Sequence, residues 1–212
     1  STVPHIRSGV GAVATQAHTN PYLGICGLER MEQNRDAESV LASLLRDDPQ
    51  IEHRQLHLID ACGRTAGWTG EACGPYAGHR CHPDLAVAGN FLAGEAVLLA
   101  MEEAVLLSDP SWKLGRRLLT ALQAGEEAGG DRRSPHATSA ALQVSGEAAF
   151  PLLDLRVDFE DCAVDALNAL YGRSQQRWVQ QWRDSFAELP NPASRAMNRT
   201  VTPLVGDDPS VA

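Results

Sequence analysis

The chain has 212 residues, of which 43% are hydrophobic and 21% are charged, a composition that excludes a disordered, collagen-like or transmembrane protein. A chain of this length is expected to form one large domain or two small ones. Its formal net charge of −9 repels phosphate backbones and anionic lipid headgroups, so we expect neither a nucleic-acid nor a membrane partner.

The cysteine content points to a reducing compartment. Five cysteines are an odd number, and they are scattered along a chain that is long enough to be stabilised by its own core. This pattern favours free thiols over a disulfide framework. We therefore expect a cytoplasmic protein.

Hydrophobic spacing predicts groups of strands that alternate with pairs of helices. A small-residue, β-branched run comes first, followed by two short helices, four strands, two stronger helices, two strands and a last helix. In that order, the predicted elements cover residues 10–16, 22–33, 36–45, 54–60, 65–69, 79–82, 85–88, 95–107, 112–127, 138–144, 152–157 and 162–186.

The grouping of these elements predicts the fold class. Helix-stop signals follow the two stronger helices, at Ser108-Asp109-Pro110 and at Gly129-Gly130, which predicts an antiparallel helical hairpin. Strands gathered in runs and helices gathered in pairs indicate an α+β fold in which helical layers cover antiparallel sheets.

Five segments together resemble the bacterial domain-of-unknown-function family DUF1028. They read GVGAVATQAHTNPYLGICGLERM, HRQLHLIDACGRTAGWTGEAC, AGHR, AVAGN and GEEAGGDRR, and the resemblance covers residues 4–171. That family is grouped by fold with the N-terminal nucleophile hydrolases. The resemblance thus implies a four-layer αββα sandwich, in which two antiparallel sheets lie between helical layers.

The chain departs from the family pattern in two places. Members of the family usually begin about two dozen residues earlier with two strands that are absent from this sequence, so we expect these strands to be missing or supplied by a cleaved upstream fragment. In addition, the segment Ser134–Thr138 stands where the family has a short glycine-containing turn. We assign residues 1–187 to the hydrolase-like domain and residues 188–212 to an extended, proline-containing tail.

Ser1 is the candidate nucleophile that the resemblance implies. A free α-amine has a pKa of about 7.7 to 8.0, so an N-terminal serine carries its own base for its hydroxyl group. Members of this superfamily often create such a residue by cutting their own chain, which predicts a processed precursor. The alternative interpretation is a truncated chain whose true nucleophile has been lost.

Asn90 is the second candidate catalytic residue, as a donor to the developing oxyanion. Polar residues at strand ends and turns are candidate substrate-binding groups, although each of them can instead cap a turn or satisfy a buried carbonyl. They are Gln16, Thr19, Asn20, His79, Arg80, Asp131 and Arg132.

The resulting hypothesis is a hydrolase of an amide or related C–N bond, which acts on a small-molecule amide or a peptide and needs no metal or organic cofactor. The rival hypothesis is a non-catalytic protein of the same fold that binds peptides or cell-wall fragments. Aromatic residues near one face of the last predicted helix are typical of a core or a dimer interface, and we expect a homo-oligomer. These aromatic residues are Tyr171, Trp178, Trp182 and Phe186.

Overall fold

The computed structural model describes residues 2–190, without the side chains of residues 187 and 188, and the chain divides into two compact units. The first unit ends at Arg173 and the second begins at Ser174. The strands are β1 (Pro4–Arg7), β2 (Gly11–Ala17), β3 (Arg54–Asp60), β4 (Thr65–Thr69), β5 (Gly78–His82), β6 (Leu85–Gly89), β7 (Ala140–Ser145) and β8 (Pro151–Val157). The α-helices are α1 (Pro21–Glu32), α2 (Ala37–Asp47), α3 (Glu95–Leu106), α4 (Leu114–Glu127), α5 (Ala163–Ser174) and α6 (Arg177–Asp184).

The largest sheet contains β1, β2, β3 and β4 in that order, and all its pairs are antiparallel. Successive side chains of β2 and β3 point to opposite faces of the sheet, so Val13, Leu56 and Leu58 face α1 and α2. There they form one hydrophobic core. Gly11 begins β2 with φ of +147°, and a Cβ atom there would lie 2.3 Å from the Ile59 carbonyl oxygen. Only glycine therefore fits this strand start.

Two antiparallel hairpins, β5–β6 and β7–β8, lie apart from this sheet. The β5–β6 hairpin contacts β3 and β4 on one side and α3 on the other, whereas β7 contacts α4 and β1. The first hairpin approaches the sheet closely, because a Cβ atom on Gly67 would lie 2.4 Å from the His79 ring. The β5–β6 hairpin is thus in contact with both the four-stranded sheet and α3.

The predicted elements agree with the observed ones except at the two ends of the chain. Strand β1 was not predicted, and the predicted helix over residues 162–186 is wrong because it is divided into α5, α6 and a 3₁₀ turn at Ser185–Glu188. The division occurs at Gln176, which has extended backbone angles. There, the Gln180 side chain donates to the Ser174 carbonyl at 2.7 Å, which satisfies a carbonyl at the end of α5.

In the second unit, the rings of Trp182 and Phe186 pack edge to face, with centroids 4.7 Å apart. Most of the predicted tail, from residue 191 onward, lies outside the described residues.

Candidate functional site

A cavity of about 760 Å³ in the first unit adjoins the first described residues of the chain. Thr2, Val3 and Pro4 line it, together with Ala14 and Gln16 of β2. This volume lies within the range of ordinary ligand sites.

Apolar helical residues and polar loop residues form the other walls of this cavity. The apolar wall comes from α3, α4, α5 and the loop that precedes α3, and it contains Leu92, Val97, Met101, Leu122 and Val164. The rim comes from the loop after α4 and from the ends of β7 and β8. Its residues are Asp131, Ser134, His136, Ser139, Ala140, Ala141, Arg156, Val157 and Asp158.

A carboxylate and an imidazole meet at this rim. Glu126 near the end of α4 accepts a hydrogen bond from the Ala137 backbone N–H at 2.9 Å, and the His136 Nδ1 atom lies 3.5 Å from the same oxygen. The Glu126 side chain is 19% exposed, whereas that of His136 is 55% exposed. The carboxylate is therefore fixed by the loop, and it is positioned to orient the more exposed imidazole.

The Gly129-Gly130-Asp131 turn brings Asp131, a predicted substrate-binding residue, to the cavity. Both glycines have positive φ, +111° and +44°, which few other residues tolerate, and Leu92 forms an antiparallel bridge with Asp131. A salt bridge and hydrogen bonds from Arg133 lower the pKa of Asp131 below its usual value, so the cavity rim carries a carboxylate that stays ionised. Arg132 is exposed and does not line the cavity.

Asn90 belongs to a different polar cluster, between the sheet and the β5–β6 hairpin. Its side-chain amide donates to the Gln55 Oε1 atom at 3.2 Å. Gln55 is fully buried, and its own amide donates to the Gly78 and Gly89 carbonyls at 2.9 Å and to the Thr69 hydroxyl at 3.0 Å. Asn90 thus helps to hold the hairpin on the sheet, and it does not line the 760 Å³ cavity.

His79 adjoins the same cluster. Its Nδ1 atom is 2.9 Å from the Thr69 hydroxyl, and burial lowers its pKa. Nearby, the Nδ1 atom of His57 is buried without a hydrogen-bond partner among the described residues, and burial, followed by the electrostatic effect of His79, lowers the pKa of His57 to about 4. Both shifts favour the neutral form of the imidazole. His79 lines a second pocket of about 510 Å³ with the loop at residues 69–78.

The three remaining predicted binding residues make local structural contacts. Arg80 donates to the buried carboxylate of Glu102 on α3 at 2.7 Å, and His82 contacts the other oxygen of that carboxylate. The Asn20 side chain caps α1 through the Tyr22 N–H, and Thr19 donates to the Ala17 carbonyl.

The structure therefore brings Gln16 and Asp131 to one cavity and places the other predicted residues elsewhere. Ser1 lies outside the described residues, but the three residues after it line this cavity. Sequence analysis missed Glu126 and His136, because their pairing depends on the fold of a loop. It also missed Gln55 and His57, although their alternation with Leu56 and Leu58 on a predicted strand was a usable signal.

The sequence profile of a family of unknown function, DUF1028, matches residues 1–167. The chain belongs to the DUF1028 family. It is similar to the crystal structure of protein SPO2555 from Silicibacter pomeroyi, also assigned to DUF1028, with a TM-score of 0.77 and 28% sequence identity. The match covers 85% of this chain and 80% of that chain.

No curated protein matches this DUF1028 chain significantly. Among residues 2–190, no helix has the length and hydrophobicity needed to span a bilayer.

Proposed function

We propose that this DUF1028 protein is an N-terminal nucleophile hydrolase that cleaves an amide or related C–N bond in the 760 Å³ cavity. One observation carries the proposal: Thr2, Val3 and Pro4, the residues bonded in succession to Ser1, line that cavity. A nucleophile at Ser1 would be bonded directly to the wall of the substrate site. The family resemblance supplies the reaction class.

In the proposed reaction, the Ser1 Oγ atom attacks the substrate carbonyl carbon while the Ser1 amine accepts the hydroxyl proton. The C–N bond breaks, the leaving nitrogen takes that proton, and an ester to Ser1 remains. A water molecule then hydrolyses the ester and releases the acid. Ser1 becomes available by processing of a precursor, which releases an upstream fragment.

The described residues provide the supporting groups for this reaction. Gln16 lines the cavity and is the proposed donor to the oxyanion, in place of Asn90, whose amide already bonds to Gln55. Glu126 and His136 place a carboxylate and an imidazole at the rim, where they can bind a polar group of the substrate. The five cysteines are all free thiols, which supports a cytoplasmic site of action.

The test is covalent labelling of Ser1. Diisopropyl fluorophosphate should modify Ser1, as detected by mass spectrometry of the tryptic peptide spanning residues 1–7, because the free amine activates the hydroxyl group. Acetylation of the amine should slow labelling at least about 100-fold by removing the base. Ser1→Ala should abolish the labelling, and Ser134→Ala, which changes another hydroxyl group of the cavity, should not.

Labelling that is insensitive to acetylation would contradict the proposal. The alternative function, non-catalytic binding of a peptide or cell-wall fragment, is favoured by the largely apolar helical wall of the cavity. Absence of labelling together with saturable peptide binding would support that alternative.

A further inference from the structure

Two helices fix the loop that carries His136 at the cavity rim. Ala137, the next residue, donates its backbone N–H to the Glu126 carboxylate of α4 at 2.9 Å. The Ala137 carbonyl accepts a hydrogen bond from the Ala163 N–H of α5, also at 2.9 Å. His136 itself lines the cavity, and its side chain is 55% exposed. The loop therefore presents an accessible imidazole from a fixed backbone position, which is what a catalytic group requires.

The Glu126 carboxylate determines which ring nitrogen of His136 can accept a proton. Its oxygen lies 3.5 Å from the Nδ1 atom. A carboxylate at this position favours the tautomer with hydrogen on Nδ1, and the lone pair is then on Nε2. A carboxylate orients the imidazole in the same way in the Ser-His-Asp triad, where the other ring nitrogen acts as the base. The Nε2 atom is thus the proton acceptor that the pair offers.

The other acidic groups of the rim are paired with arginines. Asp131 forms a salt bridge with Arg133, and Asp158 forms one with Arg156, whose Nε atom is 2.7 Å from the carboxylate. Glu126, in contrast, faces an imidazole. A histidine exchanges protons near neutral pH, whereas an arginine stays protonated. Of these three carboxylates, Glu126 is therefore the one whose partner can take part in proton transfer.

We propose that His136, oriented by Glu126, is a general base that activates a water molecule for hydrolysis of an acyl group bound in the cavity. The water oxygen bonds to the acyl carbon while one water proton moves to Nε2. The bond to the leaving group then breaks, the acid is released, and His136 returns its proton to solvent. This inference rests on the proposed function only for the use of the cavity as the reaction site, and it does not require a nucleophile at Ser1.

The test follows hydrolysis of p-nitrophenyl butyrate by the Ser1→Ala variant, in which acyl transfer to Ser1 is impossible. The products are butyric acid and p-nitrophenolate, which departs without needing a proton, so the assay isolates the activation of water. We expect His136→Gln to lower kcat/KM at least about 100-fold. Glu126→Gln retains an oxygen for the Ala137 N–H but removes the charge, and it should lower kcat/KM about 10-fold.

Two controls separate general-base catalysis from other effects of a histidine. His53→Gln removes an exposed imidazole outside the cavity lining, and it should retain kcat/KM. Heavy water should slow the hydrolysis at least about 2-fold, because a proton moves in the transition state. The Tm of His136→Gln should equal that of its parent, since the replaced side chain is more than half exposed.

Hydrolysis that is unchanged in His136→Gln, or reduced equally in His53→Gln, would overturn the proposal. A rate that is insensitive to heavy water would also overturn it, because the imidazole would then attack the ester itself. Labelling of Ser1 without hydrolysis that depends on His136 would contradict this inference alone. Hydrolysis that depends on His136 without labelling of Ser1 would support it and contradict only the Ser1 nucleophile.

Discussion

Buried polar side chains connect the four-stranded sheet to the β5–β6 hairpin in this DUF1028 protein. Gln55 uses its amide to bind two carbonyls at the end of the β5–β6 hairpin and the Thr69 hydroxyl group at the end of β4. Its burial is compensated by these bonds, because an unbonded amide in this position would cost about 1–3 kcal/mol. The Nδ1 atom of the neighbouring His57, in contrast, is buried without a hydrogen-bond partner among the described residues.

The state of His57 predicts how stability depends on pH. Burial lowers its pKa from 6.5 to about 4 in the folded protein, whereas an unfolded chain binds a proton at this site below about pH 6.5. The unfolded state therefore binds more protons between these values, so stability falls as the pH decreases from 6.5 to 4, by about 3 kcal/mol in total.

We expect His57→Leu to remove this part of the pH dependence, as measured by urea unfolding at pH 7 and pH 4.5. Ile59→Val, a non-titrating change on the same strand, should lower stability about equally at both pH values. Parallel pH profiles for His57→Leu and the unmodified protein would contradict the assignment.

At the scale of elements, helix α3 is held on the β5–β6 hairpin by a buried carboxylate. The Glu102 side chain is 6% exposed, and it contacts Arg80 and His82 of β5. Removal of one partner from such a group costs more than removal of an exposed charge, because the remaining carboxylate stays poorly solvated.

We predict that Arg80→Leu lowers the free energy of unfolding by about 2–3 kcal/mol, as measured by urea denaturation. Arg7→Leu is the matched control, because the Arg7–Glu32 pair is exposed on both sides, and this change should cost under about 1 kcal/mol. The double variant Arg80→Leu/Glu102→Leu should regain part of the loss. Equal costs for the two single variants would show that the Glu102 carboxylate is solvated.

Element positions could be predicted from sequence to within a few residues, because apolar periodicity and stop signals are local. Helix α4, for example, ends before Gly129-Gly130 as those glycines indicate. The candidate site was less accessible to prediction. Arg80 and Asn90 carry functional groups that suit a binding site, but in the fold they donate to Glu102 and Gln55, which are distant in sequence. The sequence around an arginine or an asparagine does not predict which distant residue it will bind.

At the scale of the whole molecule, exposed leucines predict self-association. Leu106 and Leu107 at the end of α3 are 54% and 82% exposed, and Leu114 at the start of α4 is 51% exposed. Neighbouring apolar side chains of this kind are typical of an interface between subunits.

We expect a homodimer in solution, with a mass about twice the 22.8 kDa of the chain, by light scattering after size exclusion. Leu107→Glu should shift the protein to the monomer mass by placing a charge in the interface. Tyr22→Glu, at a residue 73% exposed on α1, should not. A monomer at micromolar concentration in the unmodified protein would contradict the prediction.

Among residues 2–190, β7 pairs with β8 alone, and its open edge bears on solubility. A strand edge that is neither paired nor protected by a proline or a lysine can join the same edge of another molecule, and β7 (Ala140–Ser145) contains no charged residue and no proline. The protein should therefore aggregate on heating through intermolecular β-structure.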